Sequence, residues 1–204
     1  MKNPNQLISI IIPVFNESES IGYLLDEVLN VMQNNKFNCE LIVVNDGSND
    51  NTSTVLDELT IKIKELSVIS LRKNYGQTAA MAAGFDNSKG EIVITLDGDL
   101  QNDPNDIPKL ISHINEGYDL ICGWRYERKD KLINRRIPSK IANKLIANVT
   151  GLKLHDYGCS LKAFKKEIVD DIKLYGELHR FLPVLANIEG AKIKEIKVNH
   201  RSRK

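Results

Sequence analysis

An unbroken apolar run opens the chain, and similar runs return after each of the amphipathic segments that follow. Residues 7–14 are too continuously apolar for a strand with one face in water, so both faces are expected to be covered. A helix from Ser18 or Ser20 to about Asn34 follows, with its apolar residues on one face. This alternation, which continues over roughly the first 120 residues, predicts an α/β fold with a mostly parallel sheet flanked by helices.

The same pattern predicts the later elements. Strands are expected at 41–44, 67–71, up to 96, 120–122 and 193–198, and helices at about 51–65, 77–87, 107–115 and 178–189. The small residues of segment 77–87 predict that its helix packs very close to a neighbour. If the strands are parallel, four polar side chains emerge at their carboxyl ends, where open α/β sheets bind ligands: Glu17, Asp46, Asn74 and Asp97.

Two carboxylates, Asp97 and Asp99, follow the apolar run that ends at Leu96, and a single glycine separates them. They can converge on one hard divalent cation because Gly98 permits backbone angles and a close approach that a side chain would block. Such a cation can neutralise charge on a departing diphosphate. The alternative is an acidic turn, which Asp and Gly also favour.

Charge is distributed unevenly along the chain. Residues 1–102 hold 7 Lys and Arg against 14 Asp and Glu, a net charge of −7. Residues 103–204 hold 21 Lys and Arg against 13 Asp and Glu, a net charge of +8. A basic surface beside an acidic, metal-suited site fits a protein that handles phosphates or approaches an anionic membrane. A solvated Lys-rich surface is the alternative interpretation.

Residues 138–150 form the clearest amphipathic segment of the second half. A proline stands at a plausible first helical position, Gly151 follows the end, and apolar residues recur every four positions among basic ones. Such a helix could lie along a membrane surface or pack on its own domain. Cys39, Cys122 and Cys159 are expected to be reduced, and the chain itself is expected to be neither secreted nor membrane-spanning.

Six strings then carry a family resemblance, in order and over nearly the whole chain. They are Pro13-Val-Phe-Asn-Glu17, residues 43–52, residues 74–80, Leu96-Asp-Gly-Asp-Leu-Gln-Asn-Asp-Pro104, Gly123-Trp-Arg-Tyr126 and Asp156-Tyr-Gly-Cys-Ser160. The sequence resembles the inverting family 2 glycosyltransferases of the GT-A fold, and among them those that use dolichyl or undecaprenyl phosphate. The resemblance implies one catalytic domain over 1–204, with a nucleotide-sugar half at 1–122 and an acceptor half at 123–204.

On the donor side the resemblance implies that Pro13, Glu17 and Asp46 border the nucleoside, with Gln77 in the same pocket. Glu17 could instead be a helix-start carboxylate, and Asp46 a turn former. Asp97 and Asp99 are expected to hold the diphosphate through Mg²⁺ or Mn²⁺, with Gln101 as a further oxygen ligand. Arg203 matches an arginine that closes over the diphosphate in the family, a role that suits the planar guanidinium.

On the acceptor side, Arg125, Arg135 and Ser139 match positions that grip a lipid phosphate, and Arg136 is a neighbouring candidate. Each arginine could also be a surface charge. Because a phosphate acceptor is already anionic near neutral pH, cationic positioning is needed more than a strong base. Asp156 is accordingly expected to orient a group or contact the sugar, with a role as base the alternative.

The implied activity is metal-dependent, inverting transfer of a hexose, glucose or mannose, from a UDP- or GDP-sugar to a polyprenyl phosphate at the cytosolic membrane face. Uridine is favoured as the base. The alternatives are transfer to a soluble polysaccharide and a non-catalytic nucleotide-sugar or membrane-binding module. Nucleic acid is not an expected partner, and self-association stays open. The family's continuation after the final arginine and its membrane helices are absent, so the chain is expected to be a truncated catalytic domain whose full-length form is membrane-anchored.

Overall fold

The computed structural model describes residues 6–126 and 150–202. Within them, the strands form one seven-stranded sheet in the order β3-β2-β1-β4-β6-β5-β7. The strands are β1 Leu7–Val14, β2 Asn38–Asn45, β3 Leu66–Ser70, β4 Ile92–Thr95, β5 Leu120–Arg125, β6 Lys162–Lys165 and β7 Ile193–Val198. The helices are α1 Ile21–Asn34, α2 Thr52–Lys62, α3 Gln77–Asn87, α4 Ile107–Asn115, α5 Lys166–Asp171 and α6 Leu182–Ile188, with 3₁₀ turns at Pro104–Asp106 and Leu178–Phe181.

The central strand β1 explains the continuous apolar run at the start of the chain. It pairs in parallel with β2 on one side and β4 on the other. Ile10 and Ile12 pack into the core on one face of the sheet, and Ile11 packs into the core on the opposite face. The prediction that both faces of this strand are covered is therefore confirmed.

Helix α3 lies very close to β1, as its small residues predict. A Cβ added to Gly84 would overlap the Ile11 side chain, so only glycine fits at this contact. This close packing brings the first turn of α3, which carries Gln77, to the carboxyl end of the sheet.

The second half departs from the simple βα repeat. Strand β6 is antiparallel to both neighbours, β4 and β5, and neither it nor α5 was predicted. Both elements are short, and β6 begins and ends with lysine, so neither shows an apolar period. The predicted helix at 178–189 divides into a 3₁₀ turn and α6, which begins at Leu182 just before Pro183, as suits proline in a first helical turn.

Several predictions concern single features. Ser20 stands at the N-cap of α1 but donates to Glu17 instead of capping the helix. The three cysteines are free thiols as predicted, and burial raises the pKa of Cys122 to about 12. The predicted helix at 138–150 lies outside the described residues except for its last position. Among described helices, none has the length and apolar character needed to cross a membrane.

Candidate active site

A cavity of about 300 Å³ opens at the carboxyl ends of β1, β2 and β4. Six of the residues predicted for the donor side line it: Pro13, Glu17, Asp46, Gln77, Asp97 and Asp99. The described lining consists of Pro13, Val14, Phe15, Glu17, Asp46, Asn74, Gly76, Gln77, Ala80, Asp97, Gly98 and Asp99. The parallel strands thus bring together the polar loops that the sequence predicted to meet there.

Asp46 lines the cavity and also holds its wall together. The side chain is buried at 4% exposure, and its two carboxylate oxygens accept the backbone N–H groups of Tyr75 (2.8 Å) and Gly76 (2.9 Å). Asp46 therefore fixes the loop that leads into α3, and each oxygen keeps acceptor capacity for a further donor. The turn-forming and ligand-facing interpretations of this residue are compatible.

Glu17 stands where the loop after β1 approaches α2. Its backbone N–H donates to the Thr52 hydroxyl (3.0 Å), and its carboxylate accepts the Ser20 hydroxyl (2.7 Å). These contacts orient the side chain beside the cavity, so the carboxylate lies where it could accept a hydrogen bond from a bound molecule.

Asp97 is a partly buried carboxylate on the rim of the cavity. The Gln77 amide donates to its Oδ1 at 2.8 Å, so two predicted site residues from α3 and the β4 loop are in direct contact. Burial raises the pKa of Asp97; Ser160 and the cations Lys162 and Arg125 lower it, and the Asp99 carboxylate raises it further. The charged form of this carboxylate would gain from a neighbouring cation.

The loop that carries the two aspartates is fixed by contacts the sequence did not reveal. The Asn102 side chain accepts the Asp97 N–H (3.1 Å) and the Ser160 hydroxyl (2.8 Å). Gly98 packs against Val14, where an added Cβ would lie 2.7 Å from Val14 Cγ1. A side chain at this position would therefore collide with the core, and the predicted approach of the loop to a cation stays a prediction.

Metal ligation at this rim would rest on a small donor set. Among the described residues, no group of three or more His, Cys, Asp or Glu side chains could hold a metal ion by itself. Gln101 does not line the cavity, and its backbone N–H donates to Asp99 Oδ1 at 3.1 Å. The Asp97 and Asp99 pair nevertheless fits Mg²⁺ or a similar cation, which proteins often hold through one or two carboxylates together with substrate phosphates.

In the half of the chain that was predicted to bind the acceptor, Arg125 and Asp156 form a largely buried ion pair. Arg125 Nε and Nη2 donate to Asp156 Oδ2 (2.7 Å) and Oδ1 (2.9 Å), and the Arg125 N–H also points to Oδ2 (3.3 Å). Burial alone would lower the pKa of Arg125, but the bonds and charge of Asp156 raise it above its ordinary value. Two of five guanidinium N–H donors are used in this fork.

The remaining predicted residues are not among those that the structure describes. Arg135, Arg136, Ser139 and Arg203 fall outside the described residues. The segment that leads to Arg203 is anchored to the aspartate loop through Arg201, whose N–H donates to the Gln101 carbonyl (2.9 Å) and whose side chain bridges Glu27 (2.6 Å) and Asp103 (2.8 Å).

The second half also supplies side chains that the sequence did not indicate. Lys162 is buried in β6 and donates to the Cys159 carbonyl, beside the Asp97 carboxylate whose pKa it lowers. His179 Nδ1 lies 2.6 Å from the Thr78 hydroxyl, so it joins the second half to the first turn of α3. No local motif marks either residue, because Asp97 is far from Lys162 in the chain and Thr78 is far from His179.

The sequence pattern of a known family covers most of this architecture. The model of a family described as "Glycosyl transferase family 2" matches residues 9–173, which include most of β1, all of β2 to β6 and both aspartates of the rim. The chain belongs to glycosyl transferase family 2.

Within the family, two curated relatives match nearly all of the chain. The dodecaprenyl-phosphate galacturonate synthase of Rhizobium johnstonii is 45% identical over 202 residues, which cover 96% of this chain and 59% of that protein. The undecaprenyl-phosphate 4-deoxy-4-formamido-L-arabinose transferase of Proteus mirabilis is 40% identical over 197 residues, with 96% and 60% covered. The chain thus spans about three fifths of the length of these relatives.

Solved structures share the fold at low identity. Glucosyl-3-phosphoglycerate synthase from Mycobacterium tuberculosis, in complex with Mn²⁺ and UDP-glucose, superposes with a TM-score of 0.70 at 20% identity, over 98% of this chain and 73% of that one. Mannosyl-3-phosphoglycerate synthase from Rubrobacter xylanophilus gives 0.76 at 15% identity, over 97% and 68%. The predicted GT-A class is confirmed.

Proposed function

We propose that this family 2 chain transfers a sugar from a nucleotide sugar to a polyprenyl phosphate, with inversion at the anomeric carbon. One observation carries the proposal: Asp46, Asp97 and Asp99 face a single cavity at the carboxyl ends of the parallel strands, and the partly buried Arg125 is close enough to Asp97 to lower its pKa. The names of the two relatives, which are 45% and 40% identical to this chain, describe enzymes of polyprenyl phosphates and support the acceptor class.

The donor would lie along the cavity floor. The carboxylates of Glu17 and Asp46 are placed to accept hydrogen bonds from ribose hydroxyls or a base N–H. Asp97 and Asp99 would hold a divalent cation, which supplies charge stabilisation for the leaving diphosphate. Gln77 fixes the Asp97 carboxylate through its 2.8 Å bond, so the rim keeps its orientation during binding.

The acceptor would approach from the side of Arg125. A phosphate monoester carries between one and two negative charges near neutral pH, so its oxygen can attack without first losing a proton to the protein. Asp156 is engaged in a two-point pair with Arg125, and a carboxylate beside a guanidinium is a weakened base. We therefore assign Asp156 to orienting Arg125 and not to proton abstraction. Arg135, Ser139 and Arg203 stay proposed phosphate contacts.

The sugar, the metal and the location are parts of the same proposal. The relatives' names specify galacturonate and 4-deoxy-4-formamido-L-arabinose, so a donor panel must extend beyond the predicted glucose and mannose. Mn²⁺ in a structural neighbour supports Mg²⁺ or Mn²⁺ as the cation. A polyprenyl phosphate acceptor implies action at a membrane surface, and we place it at the cytosolic face.

The test is transfer of labelled sugar by the protein at its natural length. UDP-galacturonate, UDP-4-deoxy-4-formamido-L-arabinose, UDP-glucose and GDP-mannose are each supplied with Mn²⁺ and undecaprenyl phosphate. Label in the organic phase, dependent on the lipid phosphate, is the expected result. Label that enters only water-soluble polysaccharide contradicts the acceptor class, and nucleotide binding with no transfer from any donor supports a binding module.

A further inference from the structure

Glu195, in the middle of β7, has contacts that a surface carboxylate would not need. Its side chain is only 10% exposed. Oε1 accepts two consecutive backbone N–H groups, those of His155 (2.8 Å) and Asp156 (2.9 Å), and Oε2 lies 2.6 Å from His155 Nδ1. One carboxylate therefore holds the turn at 155–156 by both its main chain and its side chain.

That turn carries the carboxylate that orients Arg125. The backbone N–H of Asp156 donates to Glu195 Oε1, and the Asp156 side chain in turn accepts the two N–H bonds of the Arg125 fork. Glu195 and Arg125 lie on adjacent strands of the sheet, since β5 pairs in parallel with β7 and Arg125 is opposite Val198. The contacts form one chain from β7 through the turn to the guanidinium.

We propose that Glu195 is a positioning residue for the acceptor phosphate, acting through Asp156 on Arg125. The inference rests on the proposed function and deepens it on the acceptor side. A bidentate guanidinium fork recognises a phosphate only if its plane is fixed, because both N–H bonds depend on orientation. Asp156 fixes that plane, and Glu195 fixes the peptide from which Asp156 projects.

A spectroscopic probe of this region is built into the chain. Trp124, the single tryptophan, precedes Arg125 and stacks on the His155 ring at 4.0 Å between centroids and 13° between planes. Its emission therefore reports whether the 155–156 turn stays in place when Glu195 is changed. The readout needs no substrate.

The experiment compares Glu195→Ala and Glu195→Gln with the wild-type protein at its natural length. For Glu195→Ala we expect the KM for undecaprenyl phosphate to rise about tenfold, because two backbone N–H groups lose their acceptor. The KM for the donor and the affinity for UDP should stay within about twofold of the wild-type values. Trp124 emission should shift as the stack loosens. Glu195→Gln keeps one acceptor oxygen and should recover most of the affinity. Exposed Glu189 gives the matched control, Glu189→Gln, with unchanged constants.

A double-mutant cycle separates positioning from general support of the fold. In an Arg125→Ala background, Glu195→Ala should change the acceptor KM by less than about twofold, because the contact through which it acts is gone. An equal rise in both backgrounds, a parallel rise in donor KM, or unchanged Trp124 emission overturns the inference. Sugar transfer by the wild-type protein tests the proposed function separately. A wrong assignment of Glu195 can therefore be distinguished from a wrong proposed function.

Discussion

The two halves of the sheet hold their functional side chains in different ways. On the proposed donor side, Asp46 is fixed by backbone N–H groups of a neighbouring loop, and the loop at Gly98 by direct packing on Val14. On the proposed acceptor side, Arg125 is fixed by the buried carboxylate of Asp156, and the backbone at Asp156 is held by a second carboxylate, that of Glu195 on β7. The proposed donor site is thus built into the strand ends, whereas the proposed acceptor site depends on a series of side-chain contacts.

The largest expected effect breaks the donor side directly. Asp99→Ala should lower turnover about a thousandfold, because a developing negative charge on the leaving diphosphate loses its stabilisation. Labelled-sugar transfer with saturating Mn²⁺ measures it. Asp86→Asn, at an exposed position of α3, is the control and should keep full activity. Near-normal turnover of Asp99→Ala would remove the rim aspartates from the proposed mechanism.

The next prediction tests how far the acceptor side depends on its ion pair. Asp156→Asn should lower the free energy of unfolding by about 3 kcal/mol, because Arg125 keeps a buried charge without its partner. The two side chains are 8% and 15% exposed. The matched control is Asp170→Asn in the exposed Lys166–Asp170 pair of α5, where about 0.5 kcal/mol or less is expected. If denaturant titrations give equal losses of unfolding free energy for the two variants, burial does not make the Arg125–Asp156 pair more important for stability than the Lys166–Asp170 pair.

Packing beneath the aspartate loop gives a smaller effect. Gly98→Ala should cost about 1–3 kcal/mol of stability and weaken UDP binding, because the new methyl group meets Val14 Cγ1. Val14→Ala in the same chain should recover part of both losses. Gly22→Ala in α1 is the control: nothing lies within 4 Å of its added Cβ, and alanine favours the helix, so stability should hold or rise. Calorimetry with UDP and Mn²⁺ measures the UDP affinity, and denaturant titration measures the free energy of unfolding.

The smallest effect concerns His179, which joins the halves. Burial lowers the pKa of His179, and the charges of Arg180 and Lys162 lower it further while Glu177 raises it. The unfolded chain then binds the proton more readily, so stability is full above roughly pH 6.5 and falls as pH drops toward the folded-state pKa. His179→Asn should shrink the difference in melting temperature between about pH 7.5 and 5.5. If the difference in melting temperature is the same in the variant and the wild-type protein, another group causes the loss of stability at low pH.

How well an element was predicted depends on its local sequence pattern. Helices α3 and α4 and strands β1 and β7 were predicted with the observed bounds. The apolar run of β1, the small residues of α3 and the amphipathic period of α4 are visible in the local sequence. Strand β6, with four residues and a lysine at each end, shows no such period. It is kept in the sheet by its neighbours on both sides, which local sequence does not reveal.

The sequence by itself determined the parallel βα framework and the meeting of Glu17, Asp46 and Asp97 at one edge. The physical reason is that strand polarity follows from the βα repeat, and polar residues directly after strands must then share that edge. Only the tertiary structure decided that Arg125 pairs with Asp156 and that Glu195 holds the turn between them. Those partners lie 31 and 39 residues apart in the chain, and their contact depends on strand order and register, which no local pattern encodes.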